Sequence, residues 1–432
     1  MDTLETFYKI SGLKMNFEKT KAIWIGSMAG SKVRFCPNLK LDWHDGNFEV
    51  LGICFNVDLK DLWVINTKKR LDNIYGILSK WKKRNLTLMG KITVVKTLIL
   101  STLVHIFSAL PNPSKAFIDQ LNRILFNFIW SGKRDKIKRD YLKRNYSQGG
   151  LKMTDIPKII SSLKKFHLAH IYTLGASLHK NWEIVNPFWK DTLIAWSDFM
   201  HSYDFEESWR QNIDKNLHSS SNLTISPWIY DLTRSIKGTK VFYNKLIGYS
   251  LPLPKSCLKW ENQLGCSFPW KQIFSVYCHG LRDTKLRDFQ FRFIHKVIFT
   301  KRELLRMKLI DNDECSMCHT HKENIFHVYI ECHVVKNFWS DFCIYLTHIL
   351  HRKILITDNE LLFGTSDVLI NHLIVAAKRF IFVQCIKNEN VDFVAFKNTI
   401  RSIYDVEYHI ARRKNDFFAF NRKWALFPQT AK

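Results

Sequence analysis

The stretch Cys315–Cys332, CSMCHTHKENIFHVYIEC, decides how the rest of the chain is read. It holds Cys315, Cys318, His327 and Cys332 at the spacing C-x2-C-x8-H-x4-C. Three thiolates and one imidazole suit a closed tetrahedral zinc site, and four protein ligands leave no position open for a catalytic water. The metal expected here is therefore structural zinc, whose binding contributes directly to folding. Chance spacing among ten Cys and seventeen His is the competing explanation. The neighbouring His319, His321 and His333 leave the ligand set open to one exchange.

Upstream, Leu281 to Leu309 carries an apolar stripe of Leu286, Phe289, Phe293 and Val297. At roughly 100° per residue a basic stripe of Arg282, Lys285, Arg292 and Lys296 lies beside it, so one side packs and its neighbour meets anions. Asp311, Asp313 and Glu314 form an acidic cluster that reads as a solvated turn, with a metal-dependent nuclease as the minor alternative. SLPLP at Ser250 to Pro254 reads as a linker, and residues 158–250 read as helical and Trp-rich. Between Lys133 and Lys152 eight Lys/Arg face only Asp135 and Asp140, closed by Gly149-Gly150. This run is either a solvated loop or a phosphate contact.

Further toward the N-terminus, helical periodicity runs from Asn66 through Leu71, Ile74, Ile77-Leu78 and Trp81 to the basic turn Lys82-Lys83-Arg84. Helices over Gly90–Ala109 and Ser114–Trp130 follow, broken by Pro111 and Pro113. Before them, Ala22–Ile25 and Phe48–Val57 read as strands, and the first ten residues read as the end of a helix capped at Gly12. The fold class expected is mainly α with a small α+β portion. Its boundaries fall at 1–66, 67–157, 158–250, 251–345 and 346–432.

The whole chain has 432 residues, with 65 Lys+Arg against 39 Asp+Glu and a net charge of +26. An apolar fraction of 46% excludes a disordered protein, and positive charge spread over folded segments points to a polyanionic partner, nucleic acid first. Ten Cys are too sparse for a secreted disulfide scaffold, and MDTLETFYKI lacks the features of a signal peptide. An intracellular, reducing compartment is expected. Thr97–Leu110 is too short to span a bilayer and Leu361–Ile386 is broken by Lys378 and Arg379, so no membrane segment is expected. No Gly-rich phosphate loop, GxSxG elbow or HExxH helix occurs, and no small-molecule substrate is expected.

Taken together, FYKISGLKMNFEKTKAIWIGS, FEVLGICFNV, WKKRNLTLMGKITVVKTLILS and GGLKM resemble the late palm and thumb of reverse transcriptases from non-LTR retrotransposons of the long-interspersed-element type. The Cys/Cys/His/Cys segment followed by Phe338-Trp339 is similar to that family's zinc-binding region, and FFAFNRKW at Phe417–Trp424 to its usual close. The resemblance implies a palm remnant, a helical thumb and a zinc-containing C-terminal region. It implies an accessory role for Lys19 and a primer-grip hairpin at Leu51-Gly52-Ile53, where Gly52 lets the backbone approach the primer. It also implies a thumb along the template–primer duplex carrying Trp81, Arg84, Gly90, Lys91 and Lys96. The chemistry agrees: from Lys68 to Lys96 nine Lys/Arg, including Lys82 and Lys83, face only Asp72.

No Asp-Asp pair occurs anywhere, and the family's catalytic hairpin should precede SGLKMN, which begins at Ser11. A palm without those carboxylates cannot organise two Mg²⁺ ions, so no Mg²⁺ and no polymerisation are expected of this chain alone. The expectation is a truncated reverse transcriptase that binds RNA, DNA or RNA–DNA hybrid through its basic thumb and zinc region. An inert or domesticated zinc-containing interaction protein is the alternative. The resemblance implies a nuclear and/or cytoplasmic destination.

Overall fold

The computed structural model describes residues 2–13, 16, 20–24, 26–34, 41–44, 46, 48–56, 62–173, 188, 190–192, 194–195, 198, 238–247, 252–425 and 427. Two compact units share the sequence in alternating segments. The first takes Met1–Arg84, Val94–Ile124 and Ile156–Leu246; the second takes Asn85–Thr93, Leu125–Asp155 and Ile247–Lys432.

In the first unit, α1 (Asp2–Ser11) ends where Gly12 adopts φ +71° and donates its amide to the Tyr8 carbonyl, as the sequence predicts. Strands β1 (Lys21–Ile23) and β2 (Asp42–His44) pair in parallel, and Trp24 and Trp43 pack with ring centroids 5.3 Å apart. The run Phe48–Val57, strand-like by pattern alone, folds as an antiparallel hairpin of β3 (Phe48–Val50) and β4 (Ile53–Phe55), with its turn at the Leu51-Gly52 that the resemblance marks as a hairpin. Its turn residues Leu51 and Gly52 have φ of +50° and +76°, the twist that matches a tight two-residue hairpin connection. Asn66 fastens this hairpin to α2 (Leu62–Lys82), its side-chain oxygen accepting from the Cys54 amide at 2.8 Å and its side-chain amide donating to the Cys54 carbonyl at 2.6 Å.

Past the basic turn, α3 (Leu88–Val94) runs through a π-helical segment, Val95–Leu100, into α4 (Ser101–Ala109), and α5 covers Lys115–Ile129. Pro111 and Pro113 separate α4 from α5 as expected. In the second unit the short α6 (Arg139–Lys143) precedes the Gly149-Gly150 turn. The turn is packed rather than loose: a β-carbon at Gly149 would lie 2.7 Å from the Phe274 ring, and one at Gly150 would lie 2.2 Å from the Arg144 carbonyl oxygen. Only glycine fits either place. In the first unit α7 spans Ile156–Thr173, and α8 spans Gly238–Ile247. Most of the Trp-rich run read as helical over 158–250 lies outside the described residues.

Among the described residues, the rest of the second unit carries the helices α9 (Lys255–Leu264), α10 (Trp270–Gly280), α11 (Thr284–Ile294), α12 (Lys301–Arg306), α13 (His333–Leu350), α14 (Asp358–Phe363), α15 (Val368–Lys387), α16 (Phe393–Lys414) and α17 (Phe418–Trp424). The stripe read along Leu281–Leu309 divides at His295, where α11 stops. Lys296 takes φ +52° and leaves the helix direction altogether. Leu88–Ala109 and Val368–Lys387 are each long and apolar enough to cross a membrane. Within this fold α15 is mostly buried in protein, and Lys378 does not break it. That side chain is fully buried, donating from Nζ to the Leu362 carbonyl at 2.8 Å above the Phe293 ring, with its pKa forced well down by burial.

Candidate metal centre and basic face

The zinc loop is built by a chain reversal that starts with an antiparallel bridge between Glu314 and Lys322. Inside it the Cys315 amide donates to the His321 carbonyl at 2.8 Å and the His319 amide to the Cys315 carbonyl at 3.0 Å. Asn324 then accepts the amides of Phe326 and His327 at 2.9 and 3.0 Å, starting the turn that carries the histidine. From His327 to Glu331 the chain winds as a π-helix, and Cys332 closes it at the entrance to α13. Cys315, Cys318, His327 and Cys332 are all buried and their ligand atoms lie within 4.8 Å of one another. His319, His321 and His333 are exposed, though His321 stacks on His327 with ring centroids 5.3 Å apart and hydrogen-bonds Cys318.

The electrostatics call for a cation. The Cys315 thiol is pushed far up by its hydrogen bond with Cys332 and by burial, while that same bond holds the Cys332 thiol down. Burial raises the Cys318 thiol, but hydrogen bonds from the Thr320 hydroxyl and amide and from His327 outweigh it and bring the value to about 5. Three crowded sulfurs thus cannot all ionise on their own, whereas a bound Zn²⁺ deprotonates coordinating thiols outright. His327 presents Nε2 to the Cys318 sulfur at 3.4 Å and Nδ1 toward the Glu331 carboxylate at 3.8 Å, the side from which an outer carboxylate orients an imidazole ligand. Donor set, burial and outer partner all fit structural zinc.

Two side chains that sequence reasoning missed hold this loop in place. Glu323, 5% exposed, accepts the Lys301 amide at 2.9 Å and the Ser316 amide and hydroxyl at 3.2 and 3.0 Å, tying the Cys-x2-Cys turn to the start of α12. Tyr329 lies 5.1 Å from Phe293 of α11, ring to ring, and its carbonyl accepts from the Trp339 indole at 2.9 Å. Neither Glu323 nor Tyr329 announces itself in sequence, because their partners are 7 to 36 residues away. Asp311 is exposed and Asp313 half-buried, and among the described residues the Cys/His cluster is the group able to hold a metal ion.

The basic candidates fall in different surroundings. Lys19 lies outside the described residues. In the first unit the Gly52 carbonyl accepts from Arg70 at 2.7 Å, Lys82, Lys83 and Lys96 are exposed, and Arg84 stacks 4.7 Å over Trp81. In the second unit Arg282 and Lys285 are exposed, whereas Lys296 turns inward, donating to Gln263 at 2.7 Å and lying 3.9 Å above the Trp260 ring. Burial brings the Lys296 ammonium to about 8.

Lys91 and Arg292, 201 residues apart in sequence, meet around Asp288. Asp288 accepts the Leu88 amide at 2.9 Å and pairs with Arg292 at 2.8 Å, while the Lys91 ammonium reaches Ser131 and the Ile129 carbonyl. Lys136, from the basic loop, stands 4.2 Å over the Phe299 ring. Burial and then Arg292 hold both lysines below their ordinary value, with Lys133 adding to the effect on Lys136. Lys91 and Arg292 therefore share Asp288, and Lys136, with Lys133 beside it, stands within electrostatic reach of Arg292.

Residues 259–339 match the family described as zinc-binding in reverse transcriptase. The match runs from α9 into α13 and contains every residue of the Cys/Cys/His/Cys cluster. This segment is a reverse-transcriptase-type zinc region near the C-terminal end of the chain.

Proposed function

We propose that the chain is the nucleic-acid-binding part of a non-LTR retrotransposon reverse transcriptase and engages RNA, DNA or RNA–DNA hybrid mainly through phosphates. The observation that carries this reading is the clustering of Lys91 and Lys136 around Arg292, which is paired with Asp288, and of Lys133 beside Lys136, within the unit that holds the zinc region. Unbalanced positive charge partly shielded from water costs free energy that a phosphate backbone offsets. Zinc acts as a scaffold: the π-turn between its ligands seats Tyr329 against α11, the helix that supplies Arg292 and Asp288. The exposed Arg282, Lys285, Lys82, Lys83, Arg84 and Lys96 extend the positive surfaces of their own units. Without an Asp-Asp pair, this chain contributes binding rather than Mg²⁺-dependent nucleotide addition.

The test replaces Lys133 and Lys136 by Gln and measures hybrid binding across a salt series. Affinity falls to a similar degree for every sequence, and the slope against log salt drops by about 1 for each lysine removed. An unchanged affinity and slope would refute the assignment of this face.

A further inference from the structure

Away from the zinc cluster, the second unit contains an open cavity of about 760 Å³ between the start of α15, the far half of α16 and the C-terminal α17. That volume lies in the upper part of the range for sites that take a small ligand. Its floor is apolar, with Phe420 buried, and its wall carries Arg282, Arg352, Arg422 and Lys423. Two of these cations are already balanced. Arg352 pairs with Asp367 at 2.6 Å, and Lys423 donates to both oxygens of the buried Glu407 at 2.8 and 2.9 Å.

The balanced pair is also rigid. Glu407 takes a third hydrogen bond from the Trp424 indole at 2.7 Å, and Lys423 contacts the Nδ1 of His372, a ring that is 1% exposed and whose Nε2 has no partner. Lys423 and Trp424 belong to the FFAFNRKW segment, so this network fixes α17 as one wall of the cavity. Arg282 and Arg422 remain exposed and, among the described residues, have no carboxylate partner. Beside them Phe418 holds a large aromatic face 78% open to solvent at the cavity wall. An unburied Phe on a terminal helix contributes nothing to the core; two unbalanced guanidinium groups next to it supply phosphate donors.

We infer that this cavity holds an unpaired nucleotide of a single strand, its base stacked on Phe418 and its phosphate bound by Arg282 and Arg422. Aromatic stacking with guanidinium contacts is how unstacked bases are held without reading their sequence. The inference deepens the nucleic-acid reading, but rests on side chains separate from Lys91, Lys133, Lys136 and Arg292.

The experiment uses the full-length chain and a DNA duplex carrying a single-stranded tail with 2-aminopurine, whose fluorescence is quenched on stacking, alongside the same duplex with blunt ends. Wild type quenches the tail. Phe418→Ala abolishes the quenching, and Arg422→Gln weakens tailed-duplex binding on the order of tenfold. Both variants retain wild-type affinity for the blunt duplex. Phe418 is exposed, so its removal leaves the core intact. Competition by adenosine monophosphate separates the sources: displacement assigns the cavity to a free nucleotide as well, and retention assigns it to a strand only. A tail that wild type leaves unquenched, or one that Phe418→Ala quenches equally, would overturn the inference. Blunt-duplex loss in Lys133→Gln/Lys136→Gln reports separately on the phosphate face.

Discussion

Replacing Glu323 by Ala tests whether the zinc loop is held by the carboxylate beneath it. The side chain is 5% exposed and accepts from the amides of Lys301 and Ser316, so its removal leaves two shielded N–H groups without partners. At about 1–3 kcal/mol for each orphaned donor, the loss of stability is roughly 2–6 kcal/mol. Ser316 sits between Cys315 and Cys318, so the same change loosens the two-cysteine turn. Loss of a group that orients metal ligands weakens metal binding on the order of 10- to 100-fold. Urea unfolding of the zinc-loaded protein reads the first quantity, and competition against a chromophoric chelator reads the second. Glu323→Gln keeps one acceptor and falls between wild type and Ala in both. If Glu323→Ala retained wild-type stability and zinc affinity, the bracing role would be refuted.

Three further outcomes follow from the geometry. Gly150→Ala brings a β-carbon within 2.2 Å of the Arg144 carbonyl oxygen. The forced backbone shift costs about 1–3 kcal/mol, seen as a lowered urea midpoint with an unchanged slope. Gly52→Ala meets nothing closer than 3.9 Å, so it carries only the strain of φ +76°, about 1–2 kcal/mol. His295, buried and bonded to the Gly149 carbonyl at 2.9 Å, has its pKa brought by burial to about 4 from 6.5. The unfolded chain therefore binds a proton more readily, so stability is complete above pH 6.5 and falls as pH drops from there toward 4. The loss is about 3 kcal/mol at the acid end, and an acid titration at saturating zinc in which His295→Asn shows the same slope would refute it.

Much of this organisation is legible in sequence because its determinants are local. The ligand spacing of Cys315, Cys318, His327 and Cys332, the period of α2 and the prolines after α4 act over a few residues, and the structure follows them. The hairpin at Leu51-Gly52 is expected from the family resemblance, but local pattern alone reads one strand, because Leu in a positive-φ turn is not a turn signal and β-branched and aromatic neighbours mask it. Lys378 reads as a break in an apolar helix because the carbonyl and ring that satisfy it belong to Leu362 and Phe293. In the same way, Arg292 and Lys296 share a sequence stripe, but the left-handed residue after α11 sends Lys296 onto Trp260 and leaves Arg292 with Asp288. Long-range closure decides which charges face solvent, and no local period contains it.

The most direct measurement is the affinity of the full chain for an RNA–DNA hybrid from low to moderate salt, with zinc bound and after chelation. With four cations engaging phosphates, log affinity falls against log salt with a slope of about −3 to −4. Chelation lowers the affinity because α11 loses its anchor at Tyr329. Absence of binding at low salt by a zinc-loaded, folded chain would contradict the account, as would binding whose strength ignores salt.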